Sequence, residues 1–286
     1  MKKSLFLVFT LITSFSYSKA EEIVKTNNSI LEIYPESPVQ GQQLMINYKL
    51  DDYTDTNIEF NDKKYKLFAE KVFIPVSPEI KSGEYYLKIK KADQELTAIK
   101  IQIKAKKFGK QNISYYKPKL SIKAEEKIKE EDNLVELAKS NYSEEVFWDK
   151  SFILPVGQRV SDIYGTKRYL NGKYNGFHSG VDFASPFGVP VKAINNAKVN
   201  LAQYFSKYNS NGNIVFLDHG LGVGSVYLHL SKIAVKEGQK VKRGDTIGYV
   251  GSTGRSTGPH LHWGVYLYGQ NTDGLAWIKL TQKLFK

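Results

Sequence analysis

Towards the C-terminal end of the chain two histidines stand one residue apart, His260-Leu261-His262, inside the stretch GSTGRSTGPHLHWGVYLY (251–268). Side chains two apart on a β-strand leave the same face, so both imidazoles emerge side by side, while Leu261, Trp263, Val265 and Leu267 point the other way. Such a segment suits a sheet that buries one side and keeps the other for chemistry. The chain has five histidines, all between His178 and His262, in HSGVD (178–182), LDHG (217–220), YLHL (227–230) and HLH (260–262).

From Phe152 onward the sequence is dense in glycine and short apolar runs, FILPVGQ, GVPVKA, AKVNLAQYF, NIVFLDHG, GSVYLHL, KVKRGDTIGYV and HLHWGVYLY, with no amphipathic helix among them. This predicts an all-β domain over 150–286, a coiled antiparallel sheet. Upstream, from about Ile30 to Ala105, apolar residues recur with period two, as in Leu44, Ile46, Tyr48 and Leu50, or Ile99, Ile101 and Ile103. With turn signals at Asn61-Asp62 and Lys81-Ser82-Gly83, the pattern predicts a small β-sandwich over 21–105, immunoglobulin-like in the loose sense. The fold class is therefore mainly β. Between the two lies a linker, 106–149, basic and aromatic up to Lys119 with Tyr115-Tyr116 in it, then a helix opening after Ser121 with Ile128, Val135 and Ala138 near one stripe.

The first twenty residues read as a secretory signal: Lys2-Lys3, an apolar run from Leu5 to Phe15, and Ser18-Lys19-Ala20 at the cleavage position. The run is too short to span a bilayer, so no integral membrane segment is expected after cleavage. No cysteine is present, which excludes a disulfide framework and leaves histidine and carboxylate as the metal ligands available. The formal charge is +12, and loss of Lys2, Lys3 and Lys19 with the leader leaves +9. A basic exported protein suits an anionic surface such as a cell wall; export argues against nucleic acid as the partner.

A catalytic zinc takes three protein ligands and keeps a fourth position for water. His178 and Asp182 supply an H-x3-D pair, and one histidine of H-x-H supplies the third ligand; spacing does not say which. His229 and the remaining histidine of that pair are then left to move protons. His219, in FLDHGLG at a strand end, reads as a structural hydrogen-bonding residue. GSTGRSTG lacks the Gly-Lys-Ser/Thr of a phosphate-binding loop and precedes a strand, so its glycines are expected to form a tight turn beside the groove, with Gly172, Gly176 and Gly180 on the opposite wall.

Gly165, Arg168 and Asn171, followed by GFHSGVDFASPFGVPVKA, NIVFLDHG, SVYLHLS and VKRGDTIGYVGSTGRSTGPHLHWGV, give the segment from about Phe152 to Leu275 a close resemblance to the LytM/lysostaphin-type zinc metallopeptidases, which cut peptide cross-links and bridges in bacterial cell walls. The resemblance implies Zn2+ as cofactor, His178, Asp182 and His262 as its ligands, and His229 and His260 as catalytic histidines. It also implies a tyrosine donor to the oxyanion, for which Tyr169 is the nearest candidate and Tyr174 the second.

On this reading the chain is an exported peptidoglycan hydrolase of the periplasm, with a secreted or wall-associated location as second choice. It would act as a monomer on D-Ala-to-diaminopimelate cross-links, with carboxypeptidase trimming of the same peptides as the other activity. The competing class is a catalytically silent wall-binding protein that activates an amidase, but such relatives lack ligands that this chain has. A further expectation is latency, with a carboxylate or amide of the sandwich, for instance in the Asp51 to Asn57 loop, closing the open metal position.

Overall fold

A computed structural model describes residues 23–26, 29–49, 55–67, 71–92, 94–114 and 119–285. The expected leader, Tyr115-Tyr116 and most of the Asp51 to Asn57 loop lie outside these residues.

Eight strands form the N-terminal unit: β1 (Ile23–Thr26), β2 (Ser29–Tyr34), β3 (Gln43–Lys49), β4 (Thr56–Phe60), β5 (Lys63–Lys66), β6 (Lys71–Pro75), β7 (Gly83–Lys91) and β8 (Gln94–Ile103). They make two four-stranded sheets, ordered β1-β2-β3-β6 and β5-β4-β7-β8. The period-two apolar residues fill the space between them: Leu44, Ile46, Ile58, Leu87, Ile89 and Ile101 are all buried in one cluster. Asn61 and Asp62 both have positive φ, 48° and 60°, the left-handed pair that a two-residue hairpin between β4 and β5 requires.

The other face of β3 and β6 is not left to solvent. Met45 and Phe73 point away from the sandwich core and enter the core of the C-terminal unit. There Phe73 meets Trp277 edge-on, with ring centroids 4.9 Å apart, and Trp148 at 6.2 Å. Alternation on two strands thus serves two cores.

The connecting segment contributes β9 (Lys110–Ile113) and α1 (Ile122–Ser140). Ser121 caps α1 by accepting the amide of Ala124 at 3.3 Å. The helix buries Glu131, Val135 and Ala138 against the C-terminal sheet, while Ile128 is half-buried. Glu131 is buried with both carboxylate oxygens satisfied, by the amide (2.8 Å) and hydroxyl (2.9 Å) of Ser206.

The C-terminal unit comprises β10 (Arg159–Asp162), β11 (Lys167–Leu170), β12 (Lys173–Phe177), β13 (Val181–Ala184), β14 (Pro190–Lys192), β15 (Ala197–Gln203), β16 (Ile214–Gly220), β17 (Val223–Leu228), β18 (Lys232–Ile233), β19 (Lys240–Val241), β20 (Thr246–Tyr249), β21 (His260–Leu267), β22 (Gln270–Thr272) and α2 (Gly274–Leu284). Its main sheet runs β10-β13-β21-β17-β16-β15-β19, with β22 added beside β21, and every pairing in it is antiparallel. Two three-stranded sheets flank it, β14-β20-β18 and β12-β11-β9, and β9 joins β11 in parallel.

Two expectations need correction. FILPVGQ (152–158) is not a strand: Pro155 has no amide to give, and the segment is pinned instead by Phe152 N to Thr281 Oγ1 (3.2 Å) and Ile153 N to the Ile194 carbonyl (3.0 Å). The domain also contains an amphipathic helix, α2. Asp273 caps it through the amides of Leu275 and Ala276, and Trp277, Ile278, Leu280, Thr281 and Leu284 form its buried stripe. Among the described residues no helix is long and apolar enough to cross a membrane.

Candidate metal and catalytic site

Alternation on β21 works as the sequence requires. Leu261, Trp263, Val265 and Leu267 are fully buried in the core, and His260 and His262 leave the opposite face. Asp182 on β13 is the direct cross-strand partner of His262. His178 follows β12 and returns to the same point four residues before Asp182.

Three ligating atoms converge here. His178 Nε2 lies 3.0 Å from Asp182 Oδ1 and 3.0 Å from His262 Nδ1, and His262 Nδ1 is 2.8 Å from Asp182 Oδ1. His178 Nδ1 faces the Ile163 carbonyl at 3.1 Å; a carbonyl only accepts, so that nitrogen carries the proton and Nε2 turns a lone pair inward. Two imidazole nitrogens and a carboxylate oxygen packed this closely are a donor set for a divalent cation, and the three residues fit a metal. Although burial works against its charge, the adjacent His178 and His262 rings hold the Asp182 carboxyl well below the usual carboxylate range. Burial lowers the pKa of His262, so that ring is biased towards its neutral, ligating form.

The surroundings fix these ligands. Arg168 on β11 bonds Asp162 at 2.7 Å and reaches Asp182 Oδ2 at 3.9 Å, and Asp162 Oδ2 lies 3.4 Å from His178 Nδ1. Asp162 is itself held by Thr166 Oγ1 (2.8 Å) and the Ile163 amide (2.9 Å). The sequence offered Arg168 as part of a motif but gave no sign of Asp162. Gly180 has no side chain because a Cβ there would come 2.4 Å from the Trp263 carbonyl and 2.7 Å from His262 Nε2.

His229 and His260 stand beside this group, with ring centroids 4.7 Å apart, and His229 is 6.2 Å from His262. Strand alternation would send His229 to the face opposite Leu228, but its φ of +62° breaks the pattern. Each ring donates from Nδ1 to a carbonyl, His229 to Thr253 (2.8 Å) and His260 to Gly258 (2.9 Å), which leaves both Nε2 atoms available. Burial and the adjacent His262 and His260 depress the pKa of His229 to about 3, so its ring is neutral.

Three of the six glycines expected at the groove, Gly180, Gly251 and Gly254, serve packing. Gly251 fits against the backbone of 229–231 and Gly254 against Gly212, so the GSTGRSTG turn is locked to the segment that carries His229; Gly172, Gly176 and Gly258 have open space. His219 is remote from the metal group. It is fully buried, with Nδ1 on the Asn196 carbonyl (2.9 Å) and Nε2 on Ser225 Oγ (2.8 Å), and burial lowers its pKa to about 4. Tyr169 and Tyr174 are cross-strand partners on β11 and β12, with rings 5.6 Å apart. The Tyr174 hydroxyl donates to Glu79 of the sandwich, whereas among the described residues that of Tyr169 has no partner.

Residues 176–274 match the model of Peptidase family M23. This segment is similar to an M23 peptidase domain. The chain is 43% identical over 98 residues to the peptidoglycan DD-endopeptidase ShyB of Vibrio cholerae, a match covering 34% of this chain and 22% of that protein. It is 38% identical over 122 residues to the DD-carboxypeptidase/endopeptidase Mpg of Neisseria meningitidis, covering 43% and 26%. The chain thus spans about a quarter of the length of these curated relatives. A solved structure of an M23 peptidase from Pseudomonas aeruginosa aligns with a TM-score of 0.63 and 28% identity over 85% of this chain and 95% of that one. The likeness to it therefore extends well beyond the M23 segment.

Proposed function

We propose that the protein is an exported zinc metallopeptidase that hydrolyses D-Ala-to-diaminopimelate cross-links in peptidoglycan. The observation that carries this reading is the convergence of His178 Nε2, Asp182 Oδ1 and His262 Nδ1 beside two further imidazoles with free Nε2 atoms. His178, Asp182 and His262 hold the zinc, which supplies Lewis-acid activation of water and of the scissile carbonyl.

The remaining steps belong to the chain. His229, kept neutral by burial and oriented by Thr253, takes a proton from the attacking water at Nε2. His229 then gives that proton to the leaving amine, while His260, oriented by Gly258, lines the site beside it. Tyr169, whose hydroxyl is not engaged by Glu79 as that of Tyr174 is, donates to the oxyanion. The names of the ShyB and Mpg relatives support the substrate class, and the basic chain suits an anionic wall in the periplasm. A monomer suffices, since every group assigned a role lies on one chain.

Digestion of purified peptidoglycan sacculi, with muropeptides read by mass spectrometry, tests this reading. Cross-linked dimers should disappear with the protein, persist with chelator, and disappear again when zinc is restored. Persistence of dimers under all three conditions would overturn it.

A further inference from the structure

The site face of the main sheet does not stay open along its length. Beyond His262 it continues through Leu228, Val226, Ile214 and Tyr266, and α1 lies across it, burying Val135 and Ala138 in the same cluster. The helix is fixed there. Glu131 takes both polar groups of Ser206, and Asp132 accepts from Asn209 at 3.1 Å. A cavity of about 270 Å³ remains beside α1, lined by His262 and by Asp132, Glu136 and Lys139 of α1.

The chemistry of this cavity is uneven. Its floor is apolar. Its helix wall carries charge of both signs, with Lys139 Nζ 2.7 Å from Glu136 Oε1 and 5.4 Å from the centre of the Tyr266 ring. Opposite stand Ser179 and Asn211; among the described residues neither the hydroxyl nor the carboxamide has a hydrogen-bond partner. An aliphatic stem on the floor, a carboxylate turned to Lys139 and an ammonium turned to Glu136 and Asp132 would match the floor and the charges of the helix wall.

We propose that this cavity is a substrate subsite and that α1 reads the free zwitterionic end of a diaminopimelate residue in the stem peptide next to the cleaved bond. This rests on the peptidase reading above. Lysine in the same position offers the ammonium without the carboxylate, and amidated diaminopimelate offers neither a carboxylate nor a net match to Lys139.

The test uses the full mature chain loaded with zinc and three cross-linked tetrapeptide dimers that differ only at the third residue: free diaminopimelate, its amide, and lysine. The wild type should favour the free diaminopimelate dimer in kcat/KM by about 10-fold or more over the other two. Lys139→Met, which keeps the aliphatic stem over Tyr266, should lower the diaminopimelate rate about 10-fold more than the lysine rate. Glu136→Gln, at an exposed position that carries no folding burden, should lower both, since both substrates present the ammonium. Equal wild-type rates on all three dimers, or an equal loss on all three in Lys139→Met, would overturn the subsite while leaving the peptidase reading intact. If the wild type cut none of them, the peptidase reading would fail, and calorimetric binding of the uncross-linked diaminopimelate and lysine tripeptides would decide the subsite alone: a Kd preference for diaminopimelate that Lys139→Met removes supports it, and equal affinities refute it.

Discussion

Asp182 and His262 face each other across the β13–β21 ladder, with Asp182 Oδ1 2.8 Å from His262 Nδ1. Two of the three proposed ligands are therefore set by strand register, and a one-residue slip would turn both to the wrong face. His178 completes the group from the three-residue loop between β12 and β13, braced by Asp162 and the Ile163 carbonyl.

Gly180 is the tightest point of that loop. Gly180→Ala places a methyl 2.7 Å from His262 Nε2 and 2.4 Å from the Trp263 carbonyl, so the ring must move. Zinc affinity, read by competition with a chromophoric chelator, should fall by roughly 10- to 100-fold, with far-UV circular dichroism unchanged.

Arg168 ties Asp162 to Asp182 across two carboxylates. Lysine keeps the charge but not the planar fork, so Arg168→Lys should weaken zinc binding by roughly 10-fold or more through disorder of His178 and Asp182. The same competition measurement checks it, and wild-type affinity would show that the bridge does not position the ligands.

His219 gives a pH signature in stability rather than activity. Its folded pKa of about 4 lies below the unfolded value of 6.5, so between those values the unfolded chain binds the extra proton. Stability should be constant above about pH 6.5 and fall as pH drops towards 4, by about 3 kcal/mol from this group. His219→Gln should be less stable at pH 7 and show a shallower loss over that window in urea titrations.

Phe73 couples the two units. Phe73→Ala empties the space beside Trp277 and Trp148 and should cost about 3–5 kcal/mol. Tryptophan fluorescence and far-UV circular dichroism, coincident in the wild type, should then report separate thermal transitions.

The parts of the fold that the sequence made legible are those governed by local period. Alternation in His260 to Leu267 and in Leu44 to Tyr48 translated directly into faces. The hidden parts depend on contacts that carry no residue-type signal. Asp162 supports His178 from sixteen residues upstream, and Thr253 and Gly258 act through backbone carbonyls, which every residue has. His229 could not be aimed from alternation because its left-handed φ reverses it. The α2 helix escaped because it is short and follows a strand directly, although Asp273 ahead of GLAWIKL was a capping signal that could have found it. FILPVGQ looked like a strand because it is a run of apolar residues, yet tertiary anchors, not a ladder, hold it, burying Phe152 and Val156 and leaving Leu154 exposed.

The most direct measurement is a titration of the metal-free protein with zinc while hydrolysis of a cross-linked diaminopimelate dimer is followed. Activity should rise linearly and saturate at one equivalent of zinc per chain, and His178→Ala, Asp182→Ala and His262→Ala should each abolish that rise. Full activity in the metal-free protein, or an unaltered titration in those three variants, would contradict the account.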